Sequence, residues 1–205
     1  MSLIKELLDR SWETPGLVED VGPGGAVPAT PAAKIGLGFF LAVATTLFSL
    51  FCVAYIMRME YPDWQALPEP ALLWLNTIVL ILSSITMQRT KRAALLGNLK
   101  GVRFSLITSG VLSFAFLAGQ FAAWQQLSAA GYFAASNPAN AFFYLITGLH
   151  GLHLLGGLWV WGKTIIRVGR GLEVRDLSLS VELCTTYWHY LLLVWLVLFG
   201  LLLST

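Results

Sequence analysis

What most limits this chain is a set of five apolar stretches, each about as long as a helix that crosses a bilayer. They cover residues 33–57, 71–87, 104–127, 140–161 and 183–203, and none carries Asp, Glu, Lys or Arg in its interior. Hydrocarbon offers a backbone amide no partner, so a spanning segment closes its hydrogen bonds as a helix or within a closed barrel. A barrel needs apolar and polar residues to alternate, and these runs show no such period. The expectation is an all-α integral membrane protein with five transmembrane helices. Composition agrees, since 57% of the 205 residues are hydrophobic and 12% are charged, against about a quarter charged in a soluble domain. Too few charges remain to clothe a water-facing surface. That excludes a soluble enzyme, a nucleic-acid module and a disordered tail.

The charges that do exist fall on one side. With five crossings, the N-terminus, the second-to-third loop and the fourth-to-fifth loop share a face of the membrane. Lys5, Arg10 and Lys34 lie in the first region, Arg89, Lys91, Arg92, Lys100 and Arg103 in the second, and Lys163, Arg167, Arg170 and Arg175 in the third. Twelve of the thirteen basic residues are thus on that face, with Arg58 alone opposite. The positive-inside rule then puts the N-terminus in the cytoplasm and the C-terminus outside. The net charge of +2 is too small to imply an acidic partner. Residues 1–32 read as a separate region, distinct from the membrane domain at 33–205. Leu3, Ile4, Leu7 and Leu8 recur at helical spacing among Lys5, Glu6, Asp9 and Arg10, the pattern of an amphipathic interfacial helix. Residues 22–31 read as an extended linker. The apolar core and cleavage site of a secretory signal are missing. Cys52 and Cys184 fall near opposite ends of their spans, about 25 to 30 Å apart, beyond disulfide reach, and read as packing residues.

A polar group in a span is costly without a partner, so each one is a hypothesis. His150 and His153 are three apart and share a helix face with Thr147 and Gly157. Trp188 and His189 sit in a second cluster on the fifth span. At 1.5 Å per residue, His153 lies about 13 Å and His189 about 9 Å from the inner ends of their helices, so the two could meet across an interface. Three readings stand open: hydrogen bonds between helices, bis-histidine haem ligation by His153 and His189, and a metal or proton-relay role. The last lacks a carboxylate companion, and three histidines cannot equip a catalytic haem-copper centre. The favoured site is a structural one, with His150, His153, His189, Thr147 and Trp188 making polar contacts between helices. Thr45, Ser49 and Cys52, and Ser109, Ser113 and Gln120, form two further stripes suited to helix packing. Trp64, Trp124, Trp159 and Trp161 fall where interfacial belts are expected, whereas Trp188 and Trp195 lie inside a span. No phosphate loop, nucleophile elbow or zinc spacing is present. No catalytic or metal residue is therefore assigned.

The segment from Ala141 to His153, AFFYLITGLHGLH, resembles the signature of subunit III of haem-copper terminal oxidases. So do Tyr187-Trp188-His189-Tyr190 followed by Val194-Trp195, Ile81 to Thr86, and Lys34 to Leu37 with Phe39 to Ala42. Five spans resemble the short bacterial form, which lacks the first two helices of the seven-helix version and keeps the same sidedness. The resemblance implies a chain without haem or copper of its own, packed on subunit I, with subunit II in the same complex and phospholipids in a cleft. By the same resemblance, haem and copper would belong to the partner, which would reduce oxygen and pump protons in the cytoplasmic membrane of a prokaryote. It also implies that Lys34 occupies a basic position able to meet a lipid phosphate, or to mark the membrane edge by snorkelling. Three positions where the family usually carries an acid hold Ala44, Ala123 and Leu192, so no carboxylate-dependent role carries over. An accessory subunit of a nitric oxide reductase, a haem-bearing anchor of a quinol oxidoreductase and a small transporter are the alternatives.

Overall fold

The computed structural model describes residues 32–68, 70–169 and 174–204. The amphipathic helix and linker expected at 1–32 lie, apart from the last residue, outside the described residues. The described part is five helices: α1 (Ala32–Met59), α2 (Leu72–Leu95), α3 (Leu99–Ala129), α4 (Pro138–Gly169) and α5 (Val174–Leu203). All five are long and apolar enough to cross a membrane, and no strand occurs among the described residues. The protein is an all-α, multi-pass membrane protein.

The helices outrun the apolar stretches. α2 continues two turns past Met87, through Arg89, Lys91 and Arg92, and α4 continues to Gly169. Hydropathy marks where hydrocarbon ends, but the hydrogen-bond ladder stops only where the backbone turns. Arg and Lys are good helix formers and prolong it into the interface. α2 ends at a turn built by two residues. Gly97 takes φ +69°, its N–H bonds to Ala94 O at 3.1 Å, and the Asn98 N–H reaches back to Ala93 O at 3.0 Å. This is a Schellman closure, which favours glycine at the left-handed position. Asn98 then caps α3 by accepting from the Gly101 N–H at 3.0 Å. The same device ends α3, where Gly131 takes φ +88° and the Tyr132 N–H bonds to Leu127 O.

The chain divides into a unit of residues 1–35 and a unit of residues 36–205. Of the first, only Ala32–Ile35 is described, the opening turn of α1, where Lys34 is partly exposed. In the second unit α2 to α5 form a four-helix ring in which α2 packs on α3 and α5, and α4 packs on α3 and α5. Small residues set the spacing. A Cβ on Gly110 would come within 2.2 Å of the Trp161 ring, and one on Gly157 within 2.7 Å of Tyr187. Each glycine is a socket for an aromatic from the next helix. Trp161 also donates its indole N–H to Leu106 O at 2.9 Å, so it is a contact between helices rather than part of a belt. Trp124 and Trp64 likewise pack inward, on Tyr144 and on Tyr55 with Phe142. Trp159 remains on the outside, with Lys163 over its ring. Arg58, in the last turn of α1, forks onto Asp63 in the loop that follows, and those hydrogen bonds hold the Asp63 carboxyl below its usual range.

α1 stands outside the ring. It buries Ala44, Phe48 and Tyr55 and leaves Phe39, Val43 and Leu50 well exposed. It touches the ring through side chains: Phe48 on His153, Tyr55 on Phe142, and Thr45 with the Tyr190 hydroxyl at 3.1 Å. Substituting Gly110→Ala, which drives a methyl into the Trp161 ring, should lower stability by about 1 to 3 kcal/mol. Gly156→Ala, which enters open space, should leave it unchanged. Thermal unfolding of the two variants in detergent checks the difference.

Candidate functional site

Among the described residues, the polar side chains at membrane depth are the candidates for function inside the bundle, and most are joined to one another. At the centre, the Trp188 indole N–H on α5 lies 3.1 Å from the hydroxyls of both Ser83 on α2 and Ser113 on α3. Those hydroxyls are 2.9 Å apart, and each lies within reach of the Ser109 carbonyl. All four residues are buried. Three helices thus meet at one hydrogen-bonded junction. The serines are small enough to let the helices close, and the indole is long enough to span them.

The three histidines turn to three different neighbours. His150 is fully buried, and its Nε2–H donates to the Leu191 carbonyl of α5 at 3.1 Å. Its ring lies against Phe116 and Trp195. His153 puts Nδ1 2.8 Å from Leu149 O of its own helix and lays its ring against Phe40 and Phe48 of α1. Its backbone carbonyl accepts from the Tyr187 hydroxyl at 2.8 Å. His189 reaches α2, with Nδ1 2.6 Å from Ser84 Oγ and Nε2 3.1 Å from Gln88 Oε1. The sequence allowed His153 and His189 to meet; the structure does not bring them together. The reason is helical phase. Tyr187 and Trp188 occupy the sides of α5 that face α4 and the interior, and a step of one or two residues swings His189 onto α2. The same phase separates His150, in the core, from His153, under α1. A haem needs two imidazoles aimed into one slot, and these are not.

Thr147 accepts from the Trp124 indole at 3.1 Å and donates to Phe143 O at 2.6 Å, tying α3 to α4. Cys184 is buried beside the Thr164 hydroxyl, and Cys52 is half-buried on α1. Among the described residues no three of His, Cys, Asp and Glu converge as metal ligands would. Ala44 and Ala123 are buried and Leu192 lines a groove beside His189, so the interior of the bundle is without carboxylates at those points. Sequence reasoning missed Asn76, Thr77 and Gln88. Thr77 accepts from Trp195 at 2.9 Å, while Gln88, next to Arg89, read as the start of a loop because the apolar run stops at Met87. Spacing from Ser84 by one helical turn was the signal available for it.

Among the described residues, most of these donors and acceptors pair from one helix to the next. Such pairing can hold helices in register. Replacing Trp188→Phe keeps the ring and removes the N–H shared by Ser83 and Ser113. The loss should be about 1 kcal/mol, read as a lowered unfolding temperature with the fold retained; an unchanged transition would remove the junction from the list of stabilising contacts.

A sequence model of the family described as cytochrome c oxidase subunit III matches residues 30–203. The chain is 31% identical over 170 residues to cytochrome c oxidase subunit 3 of Synechocystis, covering 80% of this chain and 72% of that protein. It is 30% identical over 174 residues to the probable cytochrome c oxidase subunit 3 of Nocardia farcinica, covering 82% of this chain and 85% of that one. Against the probable subunit 3 of Mycobacterium bovis it is 32% identical over 123 residues, 60% of this chain, and spans only 61% of that relative. The match runs through all five helices and includes the histidine segments of α4 and α5. The chain belongs to the cytochrome c oxidase subunit III family.

Proposed function

We propose that this chain is the redox-silent subunit III of a respiratory haem-copper terminal oxidase in the cytoplasmic membrane of a prokaryote. The observation that carries the reading is the family match across residues 30–203; the bacterial relatives support the setting. Subunit I, with subunit II in the same complex, holds haem and copper and reduces oxygen to water. This chain packs on subunit I and helps the complex sustain turnover. The end of the ring carrying Arg89, Lys91 and Arg92 faces the cytoplasm, which follows from the positive-inside rule.

Phospholipid binding is part of the same proposal. Two apolar crevices flank α1. One of about 410 Å³ is lined by Leu37, Phe40, Gly156, Val160, Leu183 and Tyr187. A second of about 290 Å³ runs past Phe48, Cys52, Tyr190 and Val194. Their walls suit acyl chains; separately, Lys34 is a basic residue suited to a headgroup phosphate. The roles of His150, His153, His189, Thr147 and Trp188 are structural: they keep helix faces in the register that a partner subunit recognises.

Gentle detergent purification of the tagged chain, followed by mass spectrometry, should recover oxidase subunits I and II. Recovery of nitric oxide reductase subunits, or of the chain alone, would overturn the assignment. In a strain deleted for the chain, the oxidase should start at near-normal rate and lose activity sooner during continuous turnover. A rate near zero from the first turnover would contradict a supporting role.

A further inference from the structure

One level of the ring is left with polar atoms that the protein does not satisfy. Asn76 Nδ2, both amide atoms of Gln120, and His150 Nδ1 have no hydrogen-bond partner among the described residues. The three side chains are 2%, 4% and 0% exposed, and they come from α2, α3 and α4. Contacts on either side bring them to the same height. Asn76 Oδ1 abuts Gly119, where a Cβ would come within 2.1 Å of it. Phe116, one turn from Gln120, lies 5.6 Å from the His150 ring and 4.9 Å from Trp195. Trp195 in turn donates to Thr77, the neighbour of Asn76. Trp124, one turn from Gln120 in the other direction, donates to Thr147, which is three residues from His150. Gln120 therefore lies at the same level of the ring as Asn76 and His150. A further unpartnered atom, Asn140 Oδ1, belongs to the start of α4, ten residues and about 15 Å from His150.

The chemistry of the set is specific. Leu191 O can only accept, so His150 Nε2 carries the proton and Nδ1 presents a bare lone pair. Asn76 and Gln120 bring N–H donors, and Gln120 Oε1 is a second acceptor. Direct pairing of the Gln120 amide with both neighbours would still leave at least one amide N–H without an acceptor. Unpaired N–H groups in the interior of a membrane bundle are strongly disfavoured, and ordered water is the usual remedy where donors and acceptors from several elements face one another. We propose that the ring holds a small internal hydration site at this level, with water bridging Asn76, Gln120 and His150. The proposal is independent of which complex the chain joins.

Radiolytic hydroxyl-radical labelling of the purified protein in lipid nanodiscs, with whatever partners co-purify, tests it, because bound water generates radicals where bulk solvent does not reach. Phe116 and Trp195, buried beside the site, should label severalfold faster than Phe114 and Phe121, which lie exposed on the outside of the bundle. The double variant Asn76→Leu, Gln120→Leu should lose that excess. Labelling of Phe116 and Trp195 no faster than that of Phe114 and Phe121 would overturn the site. Where the double variant does not fold, a high-resolution density map of the unaltered protein decides. A peak within hydrogen-bond reach of at least two of the three side chains supports the site. Gln120 bonded directly to Asn76 and His150 with no such peak contradicts it.

Discussion

The fold depends on one constraint, that a polar group taken into hydrocarbon brings its partner with it. Its clearest expression is the Trp188 indole, which spans from α5 to serines on α2 and α3. Apolar packing alone drives helices together weakly in a bilayer, because lipid tails are as apolar as leucine. Hydrogen bonds and close steric fit then decide which helix faces meet. Trp161 on Leu106 O, Trp195 on Thr77 and Trp124 on Thr147 repeat the motif at other levels. In each, a flat ring fills a gap between helices and its one donor is met by a hydroxyl or a carbonyl. The ring of α2 to α5 is thus fixed in rotation and in height.

α1 obeys the constraint differently. Thr45 and Thr46 return their hydroxyls to carbonyls of their own helix, so α1 needs little from its neighbours. It meets the ring through separated aromatic contacts and leaves crevices between them. In the proposed assembly this is the element suited to share its surface with lipid, whereas the ring supplies the rigid body.

Much of this was legible in the sequence, because its strongest signals are the ones a bilayer imposes. Five uncharged apolar runs gave five helices, and the Gly97-Asn98 and Gly131 positions explain two of their ends. The helix ends themselves went further than hydropathy suggested, since Arg89 to Arg92 leave the hydrocarbon while remaining helical. Direction around the helix axis was the hard part. A spacing of three put His150 and His153 on one face in outline, yet that difference of phase sends one into the core and the other under α1. His189 was placed at a depth near that of His153 and turned to α2 instead. Depth can be counted along a chain, but the partner of a side chain depends on which helix stands opposite, and that is settled by steric sockets such as Gly110 and Gly157. The tryptophans show the same limit: position near a span end could not separate Trp159, which faces outward, from Trp161, which is locked into Gly110.

The central claim is that these imidazoles serve the protein's own architecture and that any iron or copper belongs to a neighbouring chain. The most direct test is the visible absorption spectrum of the chain purified away from its partners after expression in haem-replete cells. The protein should be colourless, with no Soret band. A stoichiometric Soret band that disappears on His153→Ala would contradict that claim.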